Sequence, residues 1–294
     1  MNAELTALVE RLTSRPRSPD LAERRKALDQ LGTLYPLPED VRIETIDFCE
    51  IVAEWTTTPD ADTDAVMLFL HGGGFVAGSL ESHRHLFAEA GRRAGMCSFA
   101  PAYRLAPEHP FPAAIEDSMK AYRFLLAQGF RPKRIVIAGD SAGAALAVST
   151  MLAIREAGLT QPACGWCISP WVDLEGTGGT MQSKAAVDPL IKQVHLLELA
   201  ALYLNASNPH SPLASPLHAE LAGLPPLLIQ VGSAETLLDD SLRLAGAAGA
   251  SGVRVTLEIW PEMIHAWPLF HPDLAEGRHA IAKAALFIRH HANT

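Results

Sequence analysis

The pentapeptide Gly139-Asp140-Ser141-Ala142-Gly143 sets a serine among small residues, directly after the run Arg134 to Ile137 and directly before a stretch rich in Ala, Leu, Val and Met. A strand that turns sharply into a helix needs small residues at the turn. The turn then lifts the hydroxyl above the sheet, where a base can activate it as a nucleophile. A second motif, His71-Gly72-Gly73-Gly74-Phe75, follows the apolar run Ala65 to Leu70. Consecutive glycines let the backbone come close to a ligand and aim N–H groups into one small volume, as a developing oxyanion requires. The donors expected there are the N–H groups of Gly73 and Gly74, with that of Ala142, the residue after the serine.

A serine nucleophile needs an imidazole base and an acid to orient it, in the chain order serine, acid, histidine for a strand-to-helix elbow of this kind. Of 12 histidines, His265 sits early in the loop after the last expected strand and before the final helix. The acid is read as Glu235, which follows the apolar run Leu227 to Val231 and the small residues Gly232-Ser233-Ala234. Asp239 and Asp240 fall in the first turns of the next helix, where the helix dipole favours carboxylates without any catalytic role. His71 is expected to hold the glycine loop through its ring, while His83, His85, His290 and His291 are expected to be solvated. No spacing of His, Cys and carboxylates suggests a metal site.

These residues depend on elements that the hydrophobic patterning supplies. Two amphipathic stretches, about Asn2 to Leu12 and Pro19 to Leu34, come first, and extended segments follow at Arg42 to Phe48 and Glu50 to Thr56. Strand-like and helix-like runs then alternate: Ala65 to Leu70, a helix from Ser82, Cys97 to Ala102, a helix Ala114 to Leu126, Arg134 to Ile137, and a helix Ala142 to Glu156. Further strands are expected at Cys164 to Ser169, Leu227 to Val231 and Val253 to Ile259, with helices at Thr236 to Ala250 and Leu274 to His290. This alternation predicts an α/β fold with a mostly parallel sheet covered on both faces. It is interrupted at about Glu175 to Leu217 by a Gly-rich segment, a helical run Pro189 to Leu204 and a Pro-rich return, which reads as a lid or cap.

The chain has 294 residues, 48% hydrophobic and 19% charged, enough apolar content for a full core. A net charge of −9 gives no basic footprint for nucleic acid or anionic lipid. Residues Met1 to Leu12 lack a secretory pattern and no apolar run is long enough to span a membrane, so the cytoplasm is the expected location. Cys164 and Cys167 lie three apart on an expected strand, pointing to opposite faces, which argues against a redox pair.

Together with Tyr103-Arg104-Leu105-Ala106-Pro107-Glu108, Phe111-Pro112-Ala113-Ala114, Asp117, Ser169-Pro170 and His265-Ala266-Trp267, these motifs resemble the hormone-sensitive-lipase family of α/β-hydrolase esterases, in particular its bacterial carboxylesterases. The resemblance spans residues 71 to 267 and departs from the family at Ala144, where glycine is frequent, and at Glu235, where aspartate is. It implies the α/β-hydrolase fold with an eight-stranded sheet, a cap built from N-terminal helices (residues 1–40) and an insertion within a catalytic domain (residues 41–294), hydrolysis of short- to medium-chain acyl esters, and no cofactor. Phe75, Trp171, Ile264 and Trp267 adjoin the motifs and are candidates for walls of the substrate pocket, ordinary core being the alternative. Lactone hydrolysis on the same triad is the competing activity. A non-catalytic receptor on this fold, such as the plant gibberellin receptors, would lack the histidine present here as His265. The expected partner is a small-molecule ester, and the alternating strand Val253 to Ile259, placed at a sheet edge, suggests a homodimer.

Overall fold

The computed structural model describes residues 3–14 and 17–292, so Asn2, at the start of the first helical stretch, lies outside the described residues. In chain order the elements are α1 (Ala3–Thr13), α2 (Leu21–Thr33), β1 (Arg42–Phe48), β2 (Ile51–Thr57), β3 (Asp62–Leu70), α3 (Leu80–Ala94), β4 (Met96–Pro101), α4 (Ala113–Ala127), β5 (Ile135–Asp140) and α5 (Ala142–Glu156). They continue through β6 (Cys164–Ile168), α6 (Thr180–Ser183), α7 (Gln193–Leu204), β7 (Leu227–Gly232), α8 (Leu238–Ala250), β8 (Val255–Trp260) and α9 (Ala275–Ala292). The strands form one eight-stranded sheet in the order β1-β2-β4-β3-β5-β6-β7-β8. Only β2 runs antiparallel to its neighbours; the other pairings are parallel. This is the mostly parallel sheet, covered on both faces, that the alternation of strands and helices predicts.

The central strands read as continuous apolar runs because both of their faces are covered. Val66 to Leu70 and Ile135 to Ala138 are wholly buried. Alternate residues feed two core layers, one shared with α4, α5, α7 and α8 and the other with α1, α3 and α9. Cys164 packs in the second layer and Cys167 in the first, and all four cysteines are free thiols, so the strand reading that excluded a redox pair holds. β8 lies at the sheet edge with Ile259 exposed.

Several element starts differ from the sequence expectation, each for a local polar reason. α3 begins at Leu80 because Ser79 and Ser82 form a capping box across its first turn. α7 begins at Gln193, well after Pro189, because the Asp188 carboxylate accepts from Leu190 N and Ile191 N at 2.9 Å each and holds that segment as a loop. α8 begins at Leu238 because Thr236 N donates to the other oxygen of Asp188 at 2.7 Å. His83 and His85, expected in solvent, are buried at 1% and 3% exposure, because α3 lies beneath α2 and against α9. His85 bonds the Leu269 carbonyl at 2.7 Å, and burial pushes its pKa down to about 3.

The turn from β5 into α5 packs against the end of β3 with no spare volume. A Cβ on Gly143 would overlap the Leu70 carbonyl and lie 2.5 Å from the His71 carbonyl, both backbone atoms that cannot swing away. Gly246, in the middle of α8, has nothing within 4 Å of its Cβ position. Gly143→Ala is therefore expected to cost about 3 kcal/mol or more in urea unfolding, whereas Gly246→Ala gains up to about 1 kcal/mol from helix propensity. Equal stabilities of the two variants would contradict this packing.

Candidate active site

Ser141 occupies the sharp turn between β5 and α5 with φ 55° and ψ −121°, a conformation unusual for a residue with a side chain. Its N–H donates to the Ile168 carbonyl at 2.8 Å, and its own carbonyl accepts from Trp171 N at 3.2 Å. The turn is thus anchored to β6 and to the segment that follows it. Ser141 is 8% exposed, and among the described residues its Oγ makes no hydrogen bond.

Glu235 and His265 meet at 2.8 Å, Oε2 to Nδ1, with Glu235 wholly buried and His265 6% exposed. A carboxylate only accepts, so Nδ1 carries the proton and Nε2 is left as the basic ring nitrogen. The other oxygen of Glu235 accepts from Gly232 N at 2.6 Å and from Ser169 Oγ at 2.8 Å. Ser169 Oγ in turn accepts from Ala266 N at 3.0 Å. One serine therefore ties the acid to the loop that carries the histidine, a link the sequence motif Ser169-Pro170 hinted at without explaining. Burial opposes protonation of His265, but the bond to and charge of Glu235, with Asp188 and Asp140 farther off, outweigh it and raise its pKa above 6.5.

The alternative acids are engaged elsewhere. Asp240 accepts from Val172 N at 3.0 Å and Asp173 N at 3.1 Å and pairs with Arg243 at 3.0 Å, while burial pushes its pKa up to about 7. Asp239 accepts from Gly179 N at 2.8 Å on the insertion side.

The glycine loop after β3 is held from below by side chains. Asp140 accepts from Gly72 N at 2.9 Å and lies 3.4 Å from the His83 ring, which bonds Ser82 Oγ at 2.7 Å. Burial works to raise the Asp140 pKa, and the His83 imidazole and the Gly72 N–H outweigh it, so the carboxyl sits below its ordinary value. His71 donates from Nδ1 to the Gly72 carbonyl at 2.8 Å and stacks on Tyr103, whose hydroxyl donates to the His71 carbonyl at 2.6 Å. Burial keeps His71 neutral, its pKa down to about 3, so its ring braces the loop as the sequence suggested. Gly73 and Gly74 have φ of 117° and 66°, and their N–H groups and that of Ala142 donate to no described backbone carbonyl.

The candidate wall residues are all buried. Phe75 stacks on Tyr203 of α7 at 3.9 Å and tilts against Trp171 at 6.0 Å. Ile264 and Trp267 pack instead in the layer of α3 and α9, where Trp267 lies 5.6 Å from Trp260. Two flanking segments close over the glycine loop. From α2, Arg25 donates to the carbonyls of Val76 and Ala106 and pairs with Glu108 at 2.7 Å. From α7, Leu199 lies 2.6 Å from the Cβ position of Gly74.

The sequence matches the family described by the α/β-hydrolase fold over residues 67–269. It is similar to an acetyl-hydrolase of Streptomyces hygroscopicus, 47% identical over 277 residues that cover 93% of this chain and 91% of that one. Among solved structures it is similar to an esterase from the bacterial hormone-sensitive lipase family, with a TM-score of 0.97, 43% identity and 99% of each chain covered. It is also similar to EstE5 soaked by p-nitrophenyl butyrate, with a TM-score of 0.96, 40% identity and 100% of each chain covered.

The balance of forces on His265 makes its titration a direct probe of the acid beside it. By NMR its imidazole should titrate above 6.5 in the native chain and at a clearly lower pH in Glu235→Gln, where burial has lost the strongest influence opposing it. A folded-state pKa raised above the unfolded one means a stability contribution fully present below about 6.5 and lost as pH rises through the folded value. An unchanged titration in Glu235→Gln would contradict the pairing.

Proposed function

Because this chain belongs to the α/β-hydrolases, in the bacterial hormone-sensitive-lipase family, and is a carboxylic ester hydrolase, we propose that Ser141, His265 and Glu235 form its catalytic triad. The observation that carries the reading is the buried 2.8 Å bond between Glu235 and His265, with Ser141 at the elbow. In this mechanism Ser141 Oγ attacks the ester carbonyl carbon as its proton passes to His265 Nε2. The resulting oxyanion accepts from the N–H groups of Gly73, Gly74 and Ala142, each strong donor contributing on the order of 3 kcal/mol. The imidazolium, stabilised by Glu235, gives its proton to the departing alcohol and leaves an acyl group on Ser141 Oγ. Water then loses a proton to His265 and attacks the acyl carbon. Collapse releases the carboxylic acid and returns the proton to Ser141. No cofactor enters any step.

The acid assignment has a sharp test. Glu235→Gln keeps the shape and loses the charge, so turnover of p-nitrophenyl butyrate should fall by on the order of 10⁴, while Asp239→Asn stays within a few-fold of the native chain. Loss of activity in folded Asp239→Asn with Glu235→Gln near native would move the acid to Asp239.

The cap, in this reading, is α1 and α2 together with the insertion at about 175–217. Support comes from α2 latching onto Val76 and Ala106 through Arg25, from Leu199 of α7 standing over Gly74, and from Arg17 of the N-terminal segment reaching Glu198 of α7 at 3.1 Å. A helix set this close to the glycine loop limits the length of acyl group that fits, in keeping with the acetyl-hydrolase among its relatives. Across p-nitrophenyl esters of increasing length, kcat/KM should be highest for acyl chains of about two to six carbons and fall steeply by about sixteen. A rate that climbs through the long chains would contradict this cap.

A further inference from the structure

At the foot of the insertion, Glu175 from its start and His210 and His218 from its end bring one carboxylate and two imidazoles together. Their ligand atoms all lie within 4.8 Å of one another. His210 Nε2 is 3.0 Å from Glu175 Oε2, and the rings of His210 and His218 are 4.6 Å apart, tilted by 59°. We propose that these three side chains bind one divalent transition-metal ion of the zinc type, which clips the start of the insertion to its end. The site shares no residue with Ser141, Glu235 and His265.

The donor set selects the ion. Two imidazole nitrogens and one carboxylate oxygen suit zinc and are a poor match for calcium or magnesium, which take oxygen ligands. Tetrahedral zinc, with bonds of about 2.0–2.2 Å, sets its donors roughly 3.4 Å apart. Surface side chains with free torsions close the remaining gap, and water supplies the fourth position. The backbone beneath is already fixed. Glu175 N donates to Asp173 Oδ1 at 3.0 Å, His210 N to Asn208 Oδ1 at 2.9 Å, and His218 N to the Ser215 carbonyl at 3.0 Å. Leu174 N to Ser215 Oγ at 3.0 Å and Leu217 N to the Val172 carbonyl at 3.3 Å already pin the two ends together. A metal bound there adds a bond-strength link across the same seam and stabilises the folded insertion.

The test titrates metal-stripped full-length protein with zinc chloride, and in parallel with magnesium chloride, by calorimetry and thermal melting. The native chain should take up one equivalent of zinc at submillimolar concentration and melt at a higher temperature with it, with no response to magnesium. In His218→Ala and His210→Ala the zinc affinity should drop by at least about tenfold and the melting shift should vanish, with ester hydrolysis in metal-free buffer unchanged. Absence of zinc binding would leave only a surface ion pair between His210 and Glu175 and overturn the proposal. So would binding that both variants retain, since His265 is intact in each and the ion would then sit elsewhere.

Discussion

Ser141 is held with a positive φ that a residue with a side chain adopts at a cost of roughly 1–3 kcal/mol, and the surrounding structure is arranged to make that conformation unavoidable. Its N–H and carbonyl are both taken by the segment running from Ile168 to Trp171, and Gly139 and Gly143 sit where any Cβ would strike backbone. The close approach of Gly143 to the Leu70 and His71 carbonyls has a second consequence. It packs the Ser141 turn directly against the start of the glycine loop, with no space between them for a side chain. Phe75, Ser169 and Ala266, which adjoin the same motifs, also have positive φ.

Buried carboxylates supply much of the remaining order. Asp140 holds the glycine loop through Gly72 N, Glu235 joins β7, Ser169 and His265, and Asp188 shapes both the loop before α7 and the turn before α8. Each such charge is costly to bury and is compensated by backbone N–H groups, which makes the three loops hard to move independently. Asp188 lies in the insertion and Thr236 directly follows Glu235, so the insertion is fastened to the acid-bearing loop by the bond between them. The position of Glu235 is thereby tied to the segment at about 175–217.

Much of this was legible in the sequence where the signal is local. The elbow, the glycine loop and α5, whose bounds agree to the residue, follow from short-range patterns of small and apolar side chains. Glu235 could be read from its place beyond a strand end, and the structure sets it, not Asp239 or Asp240, beside His265. What could not be read depends on pairs distant in sequence. The burial of His83 and His85 comes from α2 and α9 closing over α3, and the late starts of α7 and α8 come from a single carboxylate at position 188. The meeting of Glu175 with His210 and His218 has no spacing signature, since it depends on how the insertion returns to the sheet.

In the proposed mechanism Ser141 carries the one activated hydroxyl, and covalent capture measures that directly. Treated with a p-nitrophenyl phosphonate, the protein should gain the mass of one phosphonyl group, mapped by peptide fragmentation to Ser141, with capture slowed by a competing short-chain ester. An adduct on a different residue, or undiminished ester hydrolysis in protein fully labelled at Ser141, would contradict it.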